Sequence, residues 1–141
     1  MIKNIIIAGV GGQGILTIST IIDYAAMKEG LKIKQAEVHG MSQRGGAVQS
    51  HLRISDLEIF SDLIPYGQAD MIISMEPVET LRYLPFLSSK GIIISALEPF
   101  VNISDYPQIE LIKSEILKSS KAVLADAAKI AKELGNSKLV N

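Results

Sequence analysis

The sequence contains no cysteine. That removes disulfides, thiolate nucleophiles, cysteine-ligated zinc and any iron–sulfur cluster held by this chain alone. Long hydrophobic runs are missing too: the purely apolar stretches are a few residues each, far short of the ~20 needed to cross a bilayer. No charge sign dominates, because 14 Lys and Arg face 15 Asp and Glu for a formal net charge of -1. This balance excludes a strongly basic nucleic-acid binder and an acidic tail protein. Internal repeats and low-complexity tracts are absent. The opening Met1-Ile2-Lys3-Asn4-Ile5-Ile6-Ile7-Ala8-Gly9 ends its apolar stretch at glycines, not at a signal-peptidase site. It therefore reads as a strand, and the chain as cytoplasmic.

What is present is the material of one globular domain over residues 1–141, with 48% hydrophobic and 21% charged residues. A chain of this length buries about two-thirds of the surface its unfolded form exposes, so a real core is expected. Glycine is unevenly placed: only Gly67, Gly91 and Gly135 lie beyond Gly46. Since glycine permits positive φ and close backbone approach, the first third is where the chemistry is expected.

Ile5 to Ala8 suits a strand buried on both faces. Ile15, Ile18, Ile22 and Ala25 recur at helical spacing, which predicts a helix from about Gly12 to Glu29, stopped by Gly30. Lys32 to Val38 reads as a second strand, polar for a central one, and His39 to Gly46 as a loop. Val48, Ser50, Leu52 and Ile54 alternate with polar residues, the mark of a strand with one polar face. Two strands with no helix between them predict an antiparallel pair. Met71 to Met75 is a further buried strand, and Pro77 suits the first position of a helix carrying Val78, Leu81 and Leu84. Gly91 introduces a strand at Ile92-Ile93-Ile94, and Pro107 a helix marked by Ile109, Ile112 and Ile116. Ala122 to Ala125 is a short strand, with Asp126 capping a helix from Ala127 to Leu134. The sum is an α/β domain: a three-layer sandwich with a mixed, mostly parallel sheet and a Rossmann-like start. A turn at Gly135-Asn136-Ser137, where another helix is expected, is followed at once by Asn141, so the chain reads as cut short.

Gly9-Val10-Gly11-Gly12-Gln13-Gly14 fits G-x-G-x-x-G directly after a strand and before a helix. In such a loop Gly9 permits the tight turn, Gly11 lets backbone approach a pyrophosphate, and Gly14 lets helix and strand pack closely. The helix N-terminus adds free N–H donors. It is not a P-loop, because the lysine position falls at Ile15. A dinucleotide site also wants an acid about 20 residues on, for which Glu37 is the candidate. Phosphate binding and a plain strand-to-helix turn stand about level for this loop. The segment Glu37-Val38-His39-Gly40-Met41-Ser42-Gln43-Arg44-Gly45-Gly46 sets polar groups among bare backbone. Arg44 can pair with a carboxylate or phosphate, and His39 can titrate near neutrality. The same segment also reads as a solvated connection. A Ser42 nucleophile with His39 or His51 lacks an elbow motif, a metal set of His39, His51 and Glu37 is sparse, and His51 reads as structural or interfacial.

Taken in order, these two stretches resemble the gamma subunit or domain of the 2-oxoacid:ferredoxin oxidoreductases, with most in common with the small (beta) subunit of the indolepyruvate enzymes. Similar stretches continue at Ser50-His51-Leu52-Arg53-Ile54, Leu63-Ile64-Pro65 with Gly67, Ala69-Asp70, Glu76-Pro77 with Glu79 and Arg82, and Leu134-Gly135-Asn136. The resemblance spans nearly the whole chain and implies a gamma-type domain of an enzyme complex, inactive alone. It implies oxidative decarboxylation of a 2-oxoacid to an acyl-CoA, with electrons passed to ferredoxin. Thiamine diphosphate, Mg and iron–sulfur clusters are expected on a large partner subunit, with coenzyme A as co-substrate. It also implies that Gly9, Gly11, Gly12, Gln13 and Gly14 form an anion-binding or interface turn. His39, Ser42, Gln43, Arg44, Gly45 and Gly46 would face the partner or active site. No catalytic residue, metal ligand, nucleic acid or membrane is expected of this chain. The competing readings are a standalone nucleotide-binding module or NAD-dependent oxidoreductase, and a non-catalytic interaction domain.

Overall fold

The computed structural model of the chain describes residues 1–39, 45–101, 103–119 and 121–135. The elements run β1 (Ile2–Val10), α1 (Ile15–Lys28), β2 (Lys32–His39), β3 (Ala47–Ser55), β4 (Ala69–Ser74), α2 (Pro77–Tyr83), a 3₁₀ turn (Leu84–Phe86), β5 (Leu87–Ala96), α3 (Ile109–Ile116), β6 (Ala122–Ala125) and α4 (Ala127–Glu133). The expected helix start at Gly12 is corrected to Ile15. Gly12 and Gly14 have φ of 101° and 72°, a left-handed backbone that an α-helix cannot contain.

The strands form one sheet in the order β2-β3-β1-β4-β5-β6. β3 is antiparallel to both β1 and β2, while β1, β4, β5 and β6 pair in parallel. The sheet is thus mixed through a single reversed strand. That strand is inserted where a dinucleotide fold would put β2 against β1. It also explains the polar second strand: β2 is an edge, where polar side chains are tolerated and protect against edge-to-edge pairing.

Alternation along β1 assigns the two faces. Ile5 and Ile7 join Leu52 and Ile54 beneath Ile15, Ile18 and Ile22 of α1. Ile6 and Ala8 face the other way and pack with Ile72, Ile64 and Tyr83. Farther along that second face, Ile93 meets Ile112 and Ile116 of α3 and Val78 and Leu81 of α2. The result is three layers, with Ile6, Ile7, Leu52, Ile72 and Ile93 fully buried. Each such side chain contributes about 1.5–3 kcal/mol of transfer free energy.

The segment between β3 and β4 crosses the second face and is pinned by His51. This ring is buried, its Nδ1 accepts the Ile64 N–H at 3.0 Å, and Phe86 meets it edge-on at 5.2 Å. Of the structural and interfacial readings of His51, the geometry is the structural one, with the ring buried on the face that alternation reads as polar. Burial lowers the His51 pKa, with partial opposition from Asp62. Gly91 marks another constraint, at a bulge where Ala69 pairs with Leu87 and Met71 with Ile92. A methyl there would fall 2.8 Å from the Ala69 carbonyl oxygen and 2.5 Å from Leu87 Cδ1.

Two outcomes follow from these contacts. Gly91→Ala is expected to destabilise the fold by about 1–3 kcal/mol, read as a lower urea midpoint. The lowered His51 pKa means that the unfolded chain binds its proton first. Its share of stability is therefore present above the unfolded value of ~6.5 and is lost as pH falls from there through the folded pKa. The wild-type minus His51→Gln stability difference should shrink across that window, as denaturation at stepped pH would show.

Candidate functional site

The chain direction sets the location of the site. From β1 the crossover through α1 leads toward β2, and from β4 the crossover through α2 leads toward β5, in the opposite direction across the sheet. The carboxyl ends of β1 and β4 therefore flank a topological switch point, where open α/β sheets form ligand crevices. A crevice of about 320 Å³ lies there, lined by Gly11, Gly12, Gln13, Met75, Ala96, Glu98, Pro99, Phe100, Ala127 and Ala128.

The glycine loop forms one wall, and most of its amides are already used. The Gln13 side chain folds back so that Oε1 accepts the Val10 N–H at 2.9 Å, while Nε2 donates to the Met75 carbonyl at 3.0 Å. One side chain thus bridges the ends of β1 and β4. Gln13 N–H donates to Val10 O at 3.1 Å, Gly11 N–H to Gly46 O at 2.8 Å, and Gly45 N–H to Gly11 O at 3.4 Å. Gly9 leaves room for this arrangement, since a methyl there would sit 2.8 Å from Gln13 Oε1 and 2.7 Å from Ile15 Cδ1. Gly14 takes the left-handed cap position of α1, with no side-chain cap. Of the expected glycine-loop residues, Gly11, Gly12 and Gln13 line the crevice, while Gly9 and Gly14 shape the turn behind it.

The second glycine-rich stretch meets the first through Gly45 and Gly46. His39 ends β2, and Gly40, Met41, Ser42, Gln43 and Arg44 lie outside the described residues. Glu37 is not where a ribose-binding acid belongs. It stands on edge strand β2, separated from β1 by β3, and accepts a hydrogen bond from Gln35 Nε2 at 2.7 Å. The dinucleotide reading therefore loses both its acid and several of its pyrophosphate donors.

Sequence reasoning missed the other walls. Met75 follows β4, Glu98 to Phe100 follow β5, and Ala127 follows β6 after Asp126. Each lies just beyond the carboxyl end of a parallel strand, and the switch-point rule applied to the strand list finds them. Beside them, Glu76 is buried and caps α2, its Oε2 accepting the Glu79 N–H at 3.0 Å. Its other oxygen accepts the Tyr106 hydroxyl and the Phe100 N–H. Burial, then the Glu76 carboxylate, push the Tyr106 phenol well above its ordinary pKa. Glu79 is raised by burial, against the pull of Arg82, whose Nε donates to it at 3.0 Å. Among the described residues no three His, Cys, Asp or Glu side chains gather to hold a metal ion.

Gln13→Ala removes partners from Val10 N–H and Met75 C=O together. A loss of about 1–3 kcal/mol is expected, with faster hydrogen exchange at the Val10 amide. Gln13→Glu retains the acceptor and should restore the Val10 protection alone.

Residues 4–141 match the family model described as pyruvate ferredoxin/flavodoxin oxidoreductase. The chain is 41% identical over 141 residues to the indolepyruvate oxidoreductase subunit IorB of Pyrococcus horikoshii, covering 94% of this chain and 69% of that one. The gamma subunit of a keto/oxoacid ferredoxin oxidoreductase from Geobacter sulfurreducens shares the fold with a TM-score of 0.68 at 20% identity, over 99% of this chain and 70% of that one. A 2-oxoglutarate:ferredoxin oxidoreductase from Magnetococcus marinus, solved with 2-oxoglutarate, coenzyme A and succinyl-CoA bound, does so with a TM-score of 0.71 at 18% identity, over 97% of this chain and 22% of that one. With a family match over residues 4–141 and a shared fold, the chain belongs to the pyruvate ferredoxin/flavodoxin oxidoreductase family, as a subunit-type domain of 2-oxoacid oxidoreductases.

Proposed function

We propose that this chain is the small subunit of a 2-oxoacid:ferredoxin oxidoreductase of the indolepyruvate type, acting in the cytoplasm. The observation that carries this reading is the 41% identity to an indolepyruvate oxidoreductase subunit across 94% of the chain. The reaction is oxidative decarboxylation of the 2-oxoacid to its acyl-CoA, with the electrons leaving for ferredoxin. Thiamine diphosphate with Mg supplies the decarboxylation chemistry and iron–sulfur clusters carry the electrons. These groups do not fit this chain: it has no thiolate for a cluster, and the described residues bring no metal-ligating set together. They belong to a large partner subunit, and this chain contributes shape, orientation and part of the coenzyme A surface.

Two features support a role as a subunit. α1 turns Leu16, Ile21, Tyr24 and Met27 outward, each at least 47% exposed. A helix facing water ordinarily carries charge there, and the only charged residues of α1 are Asp23 and Lys28. Beside it, at the opposite end of the sheet from the glycine loop, lies a groove of about 690 Å³ lined by Ile22, Ala25, Leu31, Met71 and Ile92 among others. Lys3, Glu29, Asp70 and Lys90 also line it, and apolar side chains exposed beside a charged rim in this way mark protein interfaces. No helix among the described residues is long and apolar enough to cross a membrane.

In this reading Gly11, Gly12 and Gln13 form the crevice wall, with Gly9 and Gly14 as its support. The loop of His39, Ser42, Gln43, Arg44, Gly45 and Gly46 faces the partner or the active site. Native co-purification of the tagged chain tests the assignment. A large co-eluting subunit with brown iron–sulfur absorbance and coenzyme A-dependent turnover is expected, and a colourless, partner-free chain would overturn it. In the reconstituted complex Arg44→Ala should raise the half-saturating coenzyme A concentration or weaken assembly. Unchanged kinetics together with unchanged assembly would remove Arg44 from that role.

A further inference from the structure

Glu76 has no part in the function proposed above, yet the residue is 2% exposed and three donors converge on its carboxylate. A buried carboxylate is costly unless donors surround it. Capping α2 requires only one of its oxygens, and Oε2 does that with the Glu79 N–H at 3.0 Å. Helix caps are usually the shorter Ser, Thr, Asp or Asn. The longer glutamate brings a second oxygen out to the segment after β5. There Oε1 accepts the Phe100 N–H at 3.4 Å and the Tyr106 hydroxyl. Tyr106 itself is held from behind, packed against the cluster of Ile93, Ile112 and Ile116.

The consequence lies in the crevice. Its walls include Gly11, Gly12 and Gln13 on one side and Glu98, Pro99 and Phe100 on another. The first wall is tied to the Met75 carbonyl through Gln13 Nε2. The second is tied to the next residue, Glu76, through its carboxylate. Two consecutive residues at the β4–α2 junction thus hold both walls. The Leu97 N–H bond to Ala125 O at 2.8 Å fixes the root of the second wall at the sheet, and among the described residues Glu76 holds its tip through the Phe100 N–H. We infer that Glu76 is a positioning residue of the crevice, setting the distance of the Phe100 wall from the glycine loop.

The chain has no tryptophan, so Phe100→Trp supplies a single indole reporter on that wall in the full-length protein. Tyr106→Phe removes one tie and keeps the ring packing. Glu76→Asp keeps the charge and the cap but loses the reach. In either background, acrylamide quenching of the reporter should rise about twofold or more as the wall loosens, with helix content unchanged. Quenching unchanged in Tyr106→Phe would overturn the inference even if Glu76→Asp fails to fold. A second arm rests on the function proposed above: in the assembled complex, Tyr106→Phe without the reporter should raise the half-saturating coenzyme A concentration about tenfold, of the order expected for one charge-assisted hydrogen bond, and leave saturated turnover unchanged. A loosened wall with an unchanged coenzyme A requirement would overturn the positioning role. A wild-type complex with no coenzyme A requirement would instead sink the proposed function, and the quenching would still decide the role of Glu76.

Discussion

The amides that close a buried strand need partners, and water, a ligand anion or protein can each supply them. At the end of β1 the partners are protein. Val10 N–H goes to Gln13 Oε1, Gln13 N–H to Val10 O, and Gly11 N–H to Gly46 O. Each bond contributes only about 0.5–1.5 kcal/mol net, but leaving a buried donor unpaired costs more than making the bond gains. The Gln13 side chain therefore stays folded over the turn, and its amide nitrogen then reaches Met75. That bridge adds to the parallel pairing of the two strands flanking the switch point. The glycines follow from it: Gly9 because a methyl would strike Gln13 and Ile15, and Gly12 and Gly14 because the turn runs through positive φ.

The same accounting explains why two glycine-rich stretches, separated in sequence by α1 and β2, belong together. β3 pairs antiparallel with β1 along its whole length, from Ile2 opposite Ser55 to Val10 opposite Ala47. The residue before Ala47 is Gly46, so the register delivers Gly45 and Gly46 to Gly11 without any further device. A one-residue slip would also turn Leu52 and Ile54 out of the α1 face. Packing at one end of β3 and the loop contact at the other are therefore one constraint.

Much of this was legible in the sequence. Period-2 alternation located β3, the apolar runs located β1, β4 and β5, and Pro77 and Asp126 marked helix starts. What local pattern could not supply was pairing across distance. Nothing in Lys32 to His39 states that β3 will stand between it and β1, because strand order is decided by which apolar faces can be buried together. The polar residues of β2 were a signal of an edge, visible but not decisive. The motif marks Gln13 as part of an anion-binding or interface turn, and that its side chain takes the Val10 amide is invisible to spacing. Glu76 and Phe100 lie far apart in sequence and meet only through the β4–β5 crossover.

The spent amides bear on how recognition can work. An anion cradle binds because its donors are free and already aimed. Here Gly12 and Gly14 are the loop amides that make no bond among the described residues, and Glu98 places a negative charge on the crevice rim. An anion drawing on the Val10 amide would displace the Gln13 side chain, while β1 and β4 stay joined by their own parallel ladder. The two walls of the crevice are thus held by side chains of the protein itself, Gln13 on one side and Glu76 on the other.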